Sequence, residues 1–246
     1  MPPVPDASSA KLSWKRVLLK LSGEALMGDK GFGIDNKVID RLAGEIDQAV
    51  KLGAEVGVVV GGGNFVRGAR LAAGGTNRVA GDHMGMLATV MNCLALHDAL
   101  ARRGLPARVL SAVAVPAICE TFTQRAALEY MAQGHVVLFA GGTGNPFFTT
   151  DSGAALRAAE MGCDALLKGT NVDGIYSADP RLEPDAVRYD RITHQEVLAR
   201  GLAVMDAAAI ALARDNAIPV IVFSIQEEGE FIEVLQGGGR ATVVAD

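Results

Sequence analysis

Short apolar runs of five or six residues alternate along the chain with longer stretches whose apolar positions recur every three or four residues. Arg16 to Leu21 reads as a first strand and Glu55 to Val60 as a second, buried one. Between them Ile39, Leu42, Ile46 and Ala49/Val50 share one helical face, with Asp35 placed to cap the helix and Gly53 to stop it. A long helix is expected from Asp82 to Arg103, with Asp82 as N-cap and Gly104 as stop; its stripe of Met84, Leu87, Met91, Leu94 and Leu100 reads as core packing. Strand Ala107 to Leu110, helix Thr123 to Gln133, strand Val136 to Ala140, helix Ser152 to Met161 and strand Ala165 to Leu167 continue the alternation. From Lys168 to Tyr189 the pattern breaks, and Asp173-Gly174 and Asp179-Pro180 signal turns, so a flap or hairpin is expected. Thr193 with Glu196 makes a capping box for a short helix, and Met205 to Asp215 forms another. Strand Val220 to Phe223, helix Glu230 to Gln236 and strand Ala241 to Val244 close the chain. Strands separated by helices call for right-handed crossovers and a mostly parallel sheet with helices on both faces, an α/β three-layer sandwich.

Length and composition narrow this picture. At 246 residues the chain can bury one sizeable core, so residues 15–246 are expected to form a single domain. Met1 to Trp14 carries three Pro and three Ser and lacks an apolar signal core, which predicts a disordered tail. Half the residues are hydrophobic, yet glycines and Asp206 interrupt the apolar stretches well short of the roughly 18 residues of a membrane span, so no membrane partner is expected. A net charge of −5 without clustered Lys or Arg argues against nucleic acid. Cys93, Cys119 and Cys163 are odd in number and widely spaced, which fits reduced thiols in a cytoplasm better than disulfides or zinc. The four histidines form no metal-binding pattern, and no transition metal is expected.

The candidate chemistry lies in three glycine-bearing turns, each following an apolar run. Ser22-Gly23 follows the first strand, Gly61-Gly62-Gly63 the second, and Gly142-Thr143-Gly144-Asn145-Pro146-Phe147-Phe148-Thr149-Thr150-Asp151 leads from a strand into a helix start. Glycines let backbone N–H groups approach a ligand closely, Thr and Asn side chains offer hydrogen bonds, and a helix N-terminus favours an anion, so a phosphorylated small molecule fits. The P-loop Gly-Lys-Ser/Thr, the dinucleotide fingerprint, the protein-kinase motifs and Gly-x-Ser-x-Gly are all missing from the sequence. What remains is Lys20, Arg67 and Lys168 set against Asp82, Asp151, Asp173, Asp179 and Asp206 near strand ends, where open α/β sheets bind ligands. Phosphoryl transfer asks for that inventory: in-line positioning, and positive charge on the migrating group. Taken singly, Asp82, Asp173 and Asp179 also read as helix caps or turn residues.

Several strings carry a more specific resemblance. Val17-Leu18-Leu19-Lys20-Leu21-Ser22-Gly23-Glu24-Ala25, Val59-Val60-Gly61-Gly62-Gly63-Asn64, Arg67-Gly68, Gly81-Asp82-His83-Met84-Gly85-Met86-Leu87-Ala88-Thr89, Gly144 to Asp151 and Val172-Asp173-Gly174 run in unbroken order from about Lys15 onward. Together they resemble the bacterial UMP kinases of the amino-acid-kinase superfamily. The opening Lys-Leu-Ser-Gly and the glycine triplet are shared loosely across that superfamily, whereas Gly-Asp-His-Met-Gly-Met and Gly-Asn-Pro-Phe-Phe-Thr-Thr-Asp are much more specific to the UMP-phosphorylating branch.

The resemblance implies transfer of the ATP γ-phosphoryl to UMP with Mg²⁺ carried by ATP, in pyrimidine nucleotide synthesis. It implies that Lys20 stabilises the migrating group beside Leu21, that Ser22 and Gly23 supply backbone donors, and that Asp206 orients the lysine. Gly63 and Arg67 would hold ATP phosphates, while Thr170, Asn171, Tyr176 and Asp179 would form the adenine and ribose pocket. Gly62 would contact the UMP phosphate and Asp82 the ribose hydroxyls. Thr143, Gly144, Asn145, Pro146, Phe147, Phe148, Thr149 and Thr150 would cradle uracil and phosphate, with Asp151 organising the catalytic lysines or Mg²⁺. Similar enzymes are homohexamers activated by GTP and inhibited by UTP, with an effector loop corresponding to Gly28, Asp29, Lys30, Gly31, Phe32 and Gly33. This chain departs from the pattern in its Pro/Ser tail, in Lys30 and in Gly237-Gly238-Gly239. Two rivals stay open: a kinase of the same fold acting on a carboxylate or carbamate, and a nucleotide sensor on that fold without catalysis.

Overall fold

A computed structural model describes residues 11–66, 75, 77–180, 182–183, 185–202 and 204–246. Its centre is a sheet of nine strands. In chain order these are β1 (Arg16–Leu21), β2 (Glu55–Val60), β3 (Ala107–Ser111), β4 (Glu120–Thr121), β5 (Val136–Ala140), β6 (Ala165–Thr170), β9 (Arg191–Ile192), β10 (Val220–Ser224) and β11 (Ala241–Val244), while β7 (Ile175–Tyr176) and β8 (Arg188–Tyr189) form a separate antiparallel hairpin. The order across the sheet is β4-β3-β5-β2-β1-β6-β10-β11-β9, parallel throughout except between β10 and β11.

The helices cover both faces. One face carries α1 (Asn36–Lys51), α2 (Arg78–Arg102) and α7 (Glu230–Leu235), packed on Val17, Leu19, Val58, Leu138 and Phe223. The other carries α3 (Gln124–Ala132), α4 (Thr150–Met161), α5 (His194–Arg200) and α6 (Ala207–Asp215), packed on Leu18, Val59, Val137, Leu166 and Val222. Burial on both faces explains why the central strands read as continuous apolar runs rather than alternating ones. The three-layer α/β sandwich expected from the sequence is the fold observed.

Several boundaries differ from expectation. The long helix begins at Arg78, because Asn77 caps it by accepting from the N–H groups of Val79 and Ala80. Asp82 therefore lies inside α2, with its carboxylate free to work elsewhere. Of the expected stripe, Leu100 is buried in the core and Leu94 packs against it, but Met84, Leu87 and Met91 are 45%, 49% and 45% exposed; the sheet-facing set is Val90, Cys93, Leu96, Ala99 and Leu100. A helix with apolar residues on both sides gives no periodicity from which to tell the two apart. By length and composition alone α2 could cross a membrane, but half of its apolar window is buried within the fold.

The glycine-rich loop after β1 contains a 3₁₀ segment, Gly23–Lys30, kinked at Gly28. Strand β6 runs on through Lys168 to Thr170, so the turn-rich segment starts later than expected, and the β7–β8 hairpin follows. Ser13 and Trp14, the last residues of the expected tail, donate backbone hydrogen bonds to Leu235 O at 2.9 and 3.3 Å; residues 1–10 lie outside the described residues. The three cysteines are free, two of them buried and Cys119 partly so.

Candidate active site

Strand parity sets the site. In β1, Leu18 faces the α4 side, so Lys20 two residues on faces it too; Leu166 and Lys168 repeat this in β6. The parallel register puts Lys20 directly beside Lys168. The buried ammonium of Lys20 and the partly buried one of Lys168, side by side, need a counter-ion, and Asp151 in the first turn of α4 supplies it. Its Oδ1 lies 2.6 Å from Lys20 Nζ and its Oδ2 2.8 Å from Lys168 Nζ. The Lys168 contact is a well-formed hydrogen bond. The Lys20 contact is an ion pair whose angles fall short of one.

Burial alone would raise the Asp151 pKa, but the two lysines outweigh it and hold the carboxyl below its ordinary value. Burial lowers the pKa of Lys168, against the pull of Asp151 and with the help of neighbouring Lys20. Lys168 also donates to Val204 O. Asp206, the α6 N-cap, accepts from Ala209 N at 2.8 Å, from Ser152 Oγ at 2.8 and 3.0 Å, and from Thr149 Oγ1. The carboxylate paired with Lys20 is thus that of Asp151, while Asp206 fastens α6 to the start of α4.

Around this triad, the loops leaving β1, β2, β5 and β6 emerge at one edge, because all four strands run parallel. Leu21 is fully buried at the end of β1, and Ser22 caps the 3₁₀ segment. Gly23 abuts the Gly61 carbonyl so closely that no Cβ would fit. Gly62 is equally constrained from the helix side: a Cβ there would lie 2.6 Å from Gly85 O and 2.9 Å from Ala88 Cβ. Gly63 completes the turn, and Arg67 lies outside the described residues.

The Thr143 to Thr150 loop rises from β5 to α4. Thr143 and Asn145 brace each other at 3.2–3.3 Å, and Thr149 caps α4. Phe147 is 67% exposed with φ +71°, a left-handed conformation unusual for an aromatic residue. What holds it is Asp82, whose Oδ2 accepts from Phe147 N at 2.8 Å, while Arg78 donates to both Asp82 oxygens at 2.9 Å and lies 5.6 Å from the Phe147 ring centre. Gly144, Pro146 and Phe148 complete an open, mainly exposed rim.

Beyond β6, Thr170 closes a turn onto Val172, and Asn171 accepts from Gln226 at 2.9 Å. Tyr176 donates to Asp173 at 2.7 Å, and Asp179 O accepts from Leu182 and Glu183 N at 2.9 Å. At the opposite end of the crevice, Gly33 of the Gly28–Gly33 stretch exchanges hydrogen bonds with Asn64. A cavity of about 640 Å³ lined by Leu94, His97, Arg108, Ile118 and Cys119 lies at the β3–β4 edge, with β5 and β2 between it and Lys20.

The sequence reading gave no site role to Arg78, Thr89 or Asn92, of which Thr89 and Asn92 bond to the site loops from α2 while Arg78 lies beside the Phe147 ring. Their signal was polar residues recurring within one edge of an otherwise apolar helix. The collected geometry is one of phosphate handling: cations at the strand ends, backbone turns too tight for side chains, and an acceptor-rich rim.

Comparison with known proteins agrees with this geometry. The model of the amino acid kinase family matches residues 15–224. A uridylate kinase of Rhizobium meliloti is 65% identical over 238 residues, 97% of this chain and 99% of that protein. A crystal structure of UMP kinase from Bacillus anthracis superposes with a TM-score of 0.91 at 36% identity, covering 95% of this chain and 96% of that one. An aspartate kinase from Synechocystis, at 21% identity and a TM-score of 0.70 over 94% of this chain and 39% of its own, shares the fold. With its cationic crevice, its glycine turns and a match over nearly its whole length, the chain belongs to the amino acid kinase family and, within it, to the uridylate kinases.

Proposed function

We propose that this chain transfers the γ-phosphoryl group of ATP to UMP, forming ADP and UDP for pyrimidine nucleotide synthesis, with residues 15–246 acting as one catalytic domain. The observation that carries the reading is the Lys20–Asp151–Lys168 triad, buried at Lys20 and partly buried at the other two, at the carboxyl edge of adjacent parallel strands. Two fixed cations can neutralise charge spreading over the migrating group, and preorganised charge of this kind is the main catalytic requirement of phosphoryl transfer. Asp151 keeps both ammonium groups in register. Ser22, Gly23 and Gly63 offer ATP-phosphate contacts, joined in this reading by Arg67, and Thr170, Asn171, Tyr176 and Asp179 frame the adenosine. Gly62, Asp82 and the Thr143–Thr150 loop take UMP.

Among the described residues no group of three or more His, Cys, Asp or Glu forms a metal cage, and the Asp151 oxygens face two lysines. In this reading Mg²⁺ arrives on ATP, where it neutralises phosphate charge. We place the enzyme in the cytoplasm, where its three free thiols are at home. Activation by GTP and inhibition by UTP through residues 28–33 find support in the bonds from Gly33 to Asn64, beside the glycine triplet. Assembly, hexameric in this proposal, is supported by the exposed Met84, Leu87 and Met91 on α2.

The test is ADP release from Mg-ATP with UMP, dUMP, CMP, AMP or GMP in parallel, and with aspartate, acetylglutamate or carbamate as further acceptors. Turnover strongly favouring UMP is expected. Turnover with only a non-nucleotide acceptor overturns the substrate, and nucleotide binding without turnover overturns catalysis.

A further inference from the structure

One edge of α2 carries three polar side chains that reach out to loops of the site. Asp82, Thr89 and Asn92 are seven and three residues apart, which places them within about a quarter turn of each other. Asp82 holds Phe147 N. Thr89, buried to 2% exposure, donates to Met86 O at 2.6 Å within its own helix and accepts from Gly141 N at 2.8 Å, where the acceptor loop leaves β5. Asn92 is fully buried; its Nδ2 donates to Gly61 O at 2.7 Å and to Asn64 Oδ1 at 2.8 Å. Asn64 returns the bond at 2.9 Å and donates to Gly33 O at 2.9 Å. Because Gly61 O and Gly33 O can only accept, both amide orientations are fixed by their partners. The glycine triplet is also pressed against the helix at Gly62, where Gly85 and Ala88 leave no room for a side chain.

We propose that Thr89 and Asn92 are positioning residues of the transfer reaction. Thr89 pins the root of the UMP loop, and Asn92 pins the phosphate turn, to a single rigid helix. The spacing between acceptor and donor phosphates is then a property of α2 rather than of either loop. Neither side chain is placed against substrate; each acts through the backbone it holds. This inference rests on the UMP kinase reading of the same site.

Thr89→Val keeps shape and removes the hydroxyl, leaving Gly141 N buried without its acceptor. A lost buried hydrogen bond of this kind should raise KM for UMP about tenfold, with the ATP KM within about twofold of wild type. Thr89→Ser should restore the UMP KM. Asn92→Ala should instead lower kcat about tenfold, since the phosphate turn loses its alignment while both loops persist. Thermal melting of each variant, read beside the kinetics, separates positioning from bulk destabilisation. Should Thr89→Val not fold, the Asn92→Ala kinetics decide alone. Folded variants with wild-type constants, or equal losses for both nucleotides that track a fall in Tm, overturn the proposal. Wild-type protein inactive on UMP in the same assay would strike the activity reading instead.

Discussion

Lys20 is 7% exposed and paired to a carboxylate, a costly position for an ammonium group unless the charge is used. If it acts on the migrating phosphoryl, Lys20→Ala should cut kcat by about 10²–10³ with a smaller change in either KM, measured by coupled ADP release. Asp151 makes a sharper case. Asp151→Asn leaves one buried and one partly buried cation facing a neutral amide, and breaking a buried pair costs up to about 3–5 kcal/mol, so Tm should fall markedly. The sign with pH follows from the depressed Asp151 pKa. Its stabilising contribution is complete above the unfolded value of about 3.9 and is lost as pH falls through the lower folded value. The Tm gap between wild type and Asp151→Asn should therefore be constant near neutrality and narrow in acid; a gap that widened in acid would contradict the pairing. For Asp82→Ala, the expected outcome is a weaker KM for UMP at little cost to ATP, because the carboxylate also sets the strained Phe147. Equal loss for both nucleotides would point to general damage. Lys20, Asp151 and the glycine turns were readable in sequence because their neighbours are distinctive. The Lys20–Lys168 contact was not, since it depends on register between strands far apart in the chain.

At the scale of elements, strand existence was legible from apolar runs, and helix α1 from a clean stripe with Asp35 at its start. The helix α2 was the difficult one. Apolar on two sides, it hid both its start and its inner face, and Asn77 lies beyond the apolar stretch where a cap was sought. Asn77→Ala should cost about 1 kcal/mol as a lost N-cap, seen as a modest fall in Tm. It should also weaken UMP use through Asp82, which lies on the next turn. The two-residue strands β4 and β9 gave no periodic signal at all, being too short to alternate.

For the whole molecule, the two outward faces of α2 and the sheet edges behave differently. Met84, Leu87 and Met91 expose an apolar strip on a helix whose other side supports the site loops. If the proposed assembly uses this strip, Leu87→Asp should shift it toward smaller species in sedimentation or light scattering, while leaving the far-UV spectrum unchanged; an unaltered mass would free this face from any role in association. The sheet offers no comparable opening. Among the described residues its margins, β4 and β9, pair over two residues each, and Ala107 to Val109 of β3 and Ala241 to Thr242 of β11 run past them. Edge strands this short are one of the devices by which sheets blunt strand addition. For a chain adding a strand, the ledge on offer at either margin would be only a few residues long, a poor anchor for an extended ladder.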